Sequence, residues 1–347
     1  MKKSTKFDAW VISDGTKGME NQSLALAKLL DIKFELVKYN PPYLLKKFPL
    51  IRKLFISSVK DHLLKNKSPP SFIITTGKRM AGVSITLKFI LKDKSAPSLI
   101  ITAGKRMAGV SIALKFILKD KVKNIHIQNP KLPFEYFDLL LIPEHDNITA
   151  KNVIQTKGAL TFFNFNELNK FQEREINLIK GSKKNLVLLM IGGNSKRYKP
   201  KNCDYYYLSM KILEATKNLD CKLLVLLSRR TPLKAAKILN YSFLKHNENF
   251  QIVTSSEQNP YPEILRIADY IIVTSDSVNM VSETATLPIP LFISKFSKET
   301  GKIYNFLKNL EDLGILKKFE GKIFHYNKNT LKTNQETILK VNELLGL

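Results

Sequence analysis

Residues 268–294 read ADYIIVTSDSVNMVSETATLPIPLFIS, and the fold turns on that stretch. An apolar run ending at Val273 breaks into Thr-Ser-Asp-Ser. It resumes with helical spacing through Asn279 and Glu283, meets two prolines, and becomes apolar again at Leu291. Short apolar runs bounded by turn residues are buried strands, and a helical phrase between two of them makes a βαβ unit. Asp276 or Ser277 is placed to cap a helix running to about Thr286. Glu283 lies two turns beyond Asp276 on roughly the same face, too far along to be a cap. It is open to two readings. A carboxylate there accepts ribose hydroxyls while Ser275, Ser277 and the helix N-terminus receive phosphates, or it is a solvated surface glutamate.

The alternation extends in both directions. KFDAWVIS, IKFELV, SFIIT, SLIIT, NIHIQ and YFDLLLI read as strands before the junction. NLVLLMIGG, CKLLVLLS, FQIVT, ADYIIVTS and IPLFIS read as strands after it. The expected class is α/β with two Rossmann-like domains, residues 1–163 and 185–330. A polar, helix-prone linker spans 164–184, and the amphipathic phrase QETILKVNELLG supplies a C-terminal helix within 331–347.

One segment is duplicated. PPSFIITTGKRMAGVSITLKFILKDK at 69–94 recurs at 96–121 with four differences, which marks a tandem copy of one βα unit, not a solenoid. If the sheet has one slot for it, the surplus copy is an added edge strand or a displaced appendage.

The formal charge is +26, yet only eight of the 56 basic residues are arginine, and the lysines are spread along the chain. Specific DNA readers lean on arginine, and single-strand binders interleave aromatic with basic residues; neither pattern occurs, so no nucleic-acid partner is expected. Cys203 and Cys221 lack metal or disulfide spacing, and neither a metal nor a cofactor is expected. The N-terminal MKKSTKFDAWVISDG lacks the apolar stretch of a signal peptide, and no run approaches the roughly 18 apolar residues of a membrane span. A cytoplasmic location is expected.

Five arginines, Arg79, Arg106, Arg197, Arg229 and Arg230, follow apolar runs. Loops after parallel strands line the ligand crevice, where a guanidinium binds phosphate or carboxylate, or else pairs with an acidic side chain. Four loops carry the candidate chemistry. SDGTKGMENQS places Gly15 and Gly18 before a helix, as an anion loop or a simple tight turn. IGGNSKRY places Gly192, Gly193, Asn194 and Ser195 after a strong strand, where backbone without a Cβ can approach a phosphate. SRRTP sets Arg229 and Arg230 before a helix that Thr231 caps and Pro232 starts. The opening stretch is the fourth.

For proton transfer the best candidates are His145 and Asp146 in PEHD, at the end of a strand, where a carboxylate holds an imidazole; the alternative is a surface turn. Residues 41–67 carry seven basic side chains against Asp61 alone, with Leu, Phe and Ile between. That composition suits either an anionic membrane surface or an ordinary outer helix.

The combination DGTKGMENQS, FDLLLIPEHD, IGGNS, SRRTP, NPY at 259–261 and VTSDSVNMVSE resembles the bacterial and plant family named for a mitochondrial-fission factor, the elongated-mitochondria type. The resemblance implies a glycosyltransferase-B-like fold, two Rossmann-like domains facing across a cleft that holds a nucleotide diphosphate sugar. It adds Gln22, Asn259 and Tyr261 to the substrate-binding candidates. Within the wider fold group, SDSVNMVSETATLPIP is similar to the donor motif of the N-acetylglucosaminyltransferase of peptidoglycan assembly. That similarity puts Ser277 and Asn279 near phosphate and Glu283 near ribose. Leu287 stands where such motifs carry Gly, and Met19 lies near the usual place of a catalytic His. The expected function is glycosyl transfer to a lipid-linked or cell-envelope acceptor, at the inner face of the membrane. Epimerisation or hydrolysis of the nucleotide sugar, or a non-catalytic membrane-associated module, are the alternatives.

Overall fold

The structure is a computed structural model that describes residues 8–13, 17–31, 33–38, 72–76, 99–103, 112, 115, 123–161, 179–194, 199–246, 249–254, 261–296 and 300–345. The chain divides into two compact units, Met1–Phe162 together with Thr333–Leu347, and Phe163–Lys332.

In the first unit β1 (Asp8–Ser13), β2 (Lys33–Lys38), β3 (Phe72–Thr76), β4 (Leu99–Ala103), β5 (Lys123–Ile127), β6 (Leu139–Pro143) and β7 (Val153–Thr156) form one sheet. Their order is β2-β1-β3-β4-β5-β6-β7, and every pair is parallel. The pleat sends Leu139 and Leu141 of β6 to one face, into a core with Leu26 of α1 (Lys17–Leu29) and Val341 of the C-terminal helix Thr333–Leu345. Leu140 and Ile142 go to the other face, with Phe137. Burial on both faces is why the strand reads as a continuous apolar run instead of alternating.

The strands of both tandem copies enter this sheet. β3 and β4 lie side by side in its interior, and Phe72 pairs with Leu99, Ile73 with Ile100, and so on to Thr76 with Ala103, each residue beside its own counterpart. The expectation of an added edge strand or an appendage is therefore corrected. A parallel strand needs only a neighbour in register on each side, and a copied strand meets that condition next to its original.

The second unit contains β8 (Asn185–Ile191), β9 (Cys221–Leu227), β10 (Phe250–Val253), β11 (Tyr270–Thr274), β12 (Leu291–Ser294) and β13 (Lys317–Lys318). They form a parallel sheet in the order β10-β9-β8-β11-β12-β13. Among its described residues the helices are α2 (Asn202–Thr216), α3 (Leu233–His246), α4 (Tyr261–Ile267), α5 (Val278–Ala285) and α6 (Lys302–Asp312). Leu186, Leu188 and Met190 of β8 share a core with Ile264, Val281, Ala285 and Phe306 of α4, α5 and α6. Val187, Leu189 and Ile191 face Tyr205, Ile212, Leu239 and Phe243 of α2 and α3. The strand order reverses between β8 and β11, and in open α/β sheets the crevice beyond the carboxyl ends at such a reversal is where ligands bind.

β7 and β13 were not expected from the sequence; one is short and mixed in burial, the other is two exposed lysines. Cys203 is exposed and Cys221 buried, both as free thiols. Segment 41–67 and most of 164–184 lie outside the described residues, as do Gly15, Arg79, Arg106, Ser195, Arg197 and Asn259. Among the described residues no helix is long and apolar enough to cross a membrane.

Candidate functional site

At the strand-order reversal of the second unit, the loops after β8, β9 and β11 are fastened to one another through Asp276. The Gly193 N–H donates to its Oδ2 at 2.8 Å, Arg230 Nη2 donates to the same oxygen at 3.1 Å, and the Thr274 hydroxyl donates to Oδ1 at 2.7 Å. Thr274 Oγ1 in turn accepts the Gly192 N–H at 2.8 Å. The Asp276 side chain is fully buried, and the Arg230 side chain is 39% exposed. A carboxylate without solvent is tolerable only when its lone pairs are matched by donors and its charge by a cation; both conditions are met here.

The two glycines are explained by this arrangement. A Cβ on Gly192 would lie 2.1 Å from the Asp276 carboxylate oxygens, and one on Gly193 would lie 2.1 Å from the Arg230 carbonyl oxygen. The Cβ-free space is filled by the protein itself. The Ser228 hydroxyl donates to the Gly192 carbonyl at 2.9 Å, the Thr231 hydroxyl donates to the same carbonyl, and the Asn194 N–H donates to the Arg230 carbonyl at 3.1 Å. Of the two readings open for the arginines, Arg230 follows the ion-pair one.

α5 begins at this point. Ser277 caps it, with its hydroxyl oxygen facing the Met280 N–H, and Asp276 is committed to the neighbouring loops instead. Glu283 is only 6% exposed, among buried Ser282, Thr284 and Ala285, which excludes the solvated reading. At the other end of α5, Lys328 Nζ donates to the carbonyls of Thr284 (3.2 Å), Ala285 (3.1 Å) and Leu287. Burial pushes this ammonium down to about 7. A cation at a helix C-terminus complements the helix dipole. No pattern in the sequence pointed to Lys328 or to Thr274.

The remaining candidates divide by unit. Ser275 is buried, and its N–H donates to the Ser294 carbonyl at 3.0 Å; Asn279 stands half-buried in the first turn of α5. Arg229 and Asn194 are exposed, and Tyr261 opens α4. In the first unit Gly18 falls in the first turn of α1, with Gln22 buried one turn on. His145 and Asp146 form a single 3-10 turn directly after β6, closed by Asn147 in the left-handed conformation. His145 Nε2 lies 3.8 Å from Asp146 Oδ1, an ion-pair distance for a protonated imidazole and too long for a hydrogen bond. His126, within β5, is fully buried, and desolvation holds it down to about 4, so it stays neutral. Among the described residues no three His, Cys, Asp or Glu side chains are grouped to hold a metal ion.

The profile of the family described as mitochondrial fission ELM1 matches residues 17–343. The chain belongs to the mitochondrial fission ELM1 family. Among its relatives, uncharacterized protein RP120 of Rickettsia prowazekii is 28% identical over 332 residues, covering 82% of each protein. Mitochondrial fission protein ELM1 of Arabidopsis thaliana is 26% identical over 224 residues, 57% of this chain and 51% of that one, so the match spans about half of the plant protein. Among solved structures, the UDP-GlcNAc 2-epimerase from Methanocaldococcus jannaschii matches with a TM-score of 0.56 and 13% identity, covering 97% of this chain and 99% of that one. At that identity the likeness establishes the fold alone, the glycosyltransferase-B-like class of α/β proteins.

Proposed function

We propose that this ELM1-family protein binds a nucleotide diphosphate sugar at the carboxyl ends of β8, β9 and β11 and transfers its glycosyl group to a lipid-linked or cell-envelope acceptor. The observation that carries the reading is convergence at the strand-order reversal. Three loops locked together by Asp276 meet the N-terminus of a helix that carries a buried carboxylate, Glu283. In this reading Ser275, Ser277, Asn279 and the first amides of α5 receive the diphosphate, Arg229 adds charge, and Glu283 accepts the ribose hydroxyls. Asp276 and Arg230 hold the loops in place before the ligand arrives, which removes an ordering cost from binding. His145, with Asp146 beside it, takes the proton of the acceptor hydroxyl.

Epimerisation or hydrolysis of the nucleotide sugar uses the same site and is favoured by the epimerase likeness in fold. A non-catalytic, membrane-associated interaction module is favoured by the family's name. A thermal-shift titration with UDP, GDP and UDP-GlcNAc tests the common core of the two enzymatic readings. A rise in melting temperature with one base is expected, and no rise with any of them removes the nucleotide site. Once a sugar donor turns over, His145→Ala is expected to lower turnover by about 10²- to 10⁴-fold while leaving nucleotide affinity within about threefold. Unchanged turnover removes His145.

A further inference from the structure

α2 and α3 lie side by side over one face of the second sheet, and their inner faces are spent on its core: Tyr205, Leu208 and Ile212 from one helix, Ala235, Leu239 and Phe243 from the other. Their outer faces are unlike those of ordinary surface helices. Tyr206, Tyr207 and Met210 are exposed on α2, and Leu233, Tyr241 and Leu244 on α3, with Leu233 at 84% and Tyr241 at 71%. Leu233, Lys237 and Tyr241 recur every fourth residue, with Leu244 three further on, so they form one outward stripe. Single exposed apolar residues are normal, whereas a group of six large ones on two adjacent helices marks a surface that meets something.

The charges around them say what. Lys211, Lys234, Lys237 and Lys245 are exposed on the same two helices, against Glu214 as the exposed acid. A second copy of this chain would bring the same lysines and a net charge of +26 against themselves, which opposes self-association. We infer that the outer face of α2 and α3 is a docking surface for an anionic lipid bilayer. Tyrosine, leucine and methionine enter the headgroup boundary, and the lysines, with apolar stems and charged tips, reach the phosphates. The inference is independent of the nucleotide site and does not involve segment 41–67.

The test is sedimentation of the full-length protein, without nucleotide, with phosphatidylcholine vesicles and with vesicles that also contain phosphatidylserine. Binding is expected to the anionic vesicles only, and to weaken as salt is raised. Two double variants at exposed positions follow, Tyr241→Ser with Leu244→Ser and Lys234→Glu with Lys237→Glu. Each is expected to lower partitioning by at least about tenfold at an unchanged melting temperature. No binding of the parent protein overturns the inference. So does binding that both variants retain in full, which would transfer membrane contact to another part of the chain such as 41–67. If gel filtration shows the parent to be a dimer that the Tyr241 and Leu244 variant splits, the face belongs to a second copy and the lipid assignment falls.

Discussion

In the first unit the strand order reverses between β1 and β3, and right beside that point the sheet has accepted a second copied strand, β4, paired residue for residue with β3. In the second unit the order reverses between β8 and β11, where Gly192, Gly193, Arg230, Thr274 and Asp276 are joined by hydrogen bonds from three loops. Lateral pairing of parallel strands is made by the backbone, so any strand of matching length and apolar pattern satisfies it. Side-chain latches between loops are specific to position, and each partner is left in debt if another is removed. The first unit is therefore tolerant at its strands and the second intolerant at its loops.

The largest effect that tests this contrast is expected at Arg230. Arg230→Ala leaves the buried Asp276 carboxylate without its cation, at a cost of about 2–4 kcal/mol, below that of a fully buried pair because the guanidinium is 39% exposed. Adding Asp276→Asn is expected to recover part of that loss, since the buried charge is gone. Denaturant unfolding of the single and double variants reads this directly, and a single variant as stable as the parent would sink the latch.

A somewhat smaller effect belongs to the first unit. The unfolded chain protonates His126 near its ordinary 6.5, and the folded chain does so only at about 4. The unfolded state thus binds more protons between those values. Stability is fully present above about pH 6.5 and is lost as pH falls toward 4, by up to about 3 kcal/mol. His126→Leu is expected to flatten this acid limb in unfolding curves taken at several pH values; an unchanged limb would place the titration elsewhere.

The smallest effect is expected where the sequence looks most disturbed. Deleting residues 69–95 removes one copy, and β4 then follows Ser68 with the register that β3 has now. The shortened chain is expected to melt cooperatively close to the full one. Loss of soluble protein would show that the first unit is not tolerant.

Much of the fold was legible because strands covered on both faces announce themselves as unbroken apolar runs, as NLVLLMI and CKLLVLL do. The exposed pair Lys317 and Lys318 carries no such signal and is a strand only because β12 lies beside it. At the candidate site, the sequence placed Gly192, Gly193, Arg230 and Asp276 at strand ends, which is a local property. That Asp276 bonds to Gly193 and Arg230 is a tertiary fact between residues far apart in the chain, and no spacing rule contains it. Likewise Lys328 meets the end of α5 by way of a long irregular return, whose course no periodicity reveals.

The central claim is that the helix opened by Ser277 and carrying the buried Glu283 is a nucleotide diphosphate site and more than a capped helix. Isothermal titration of UDP or GDP into the parent protein and into Glu283→Gln tests it most directly, since the amide keeps the shape of the side chain and removes its charge. Charge-assisted hydrogen bonds contribute about 1.5–3 kcal/mol each, so affinity is expected to fall roughly 10- to 100-fold. Equal affinity in both proteins, or heat from neither, would contradict the account.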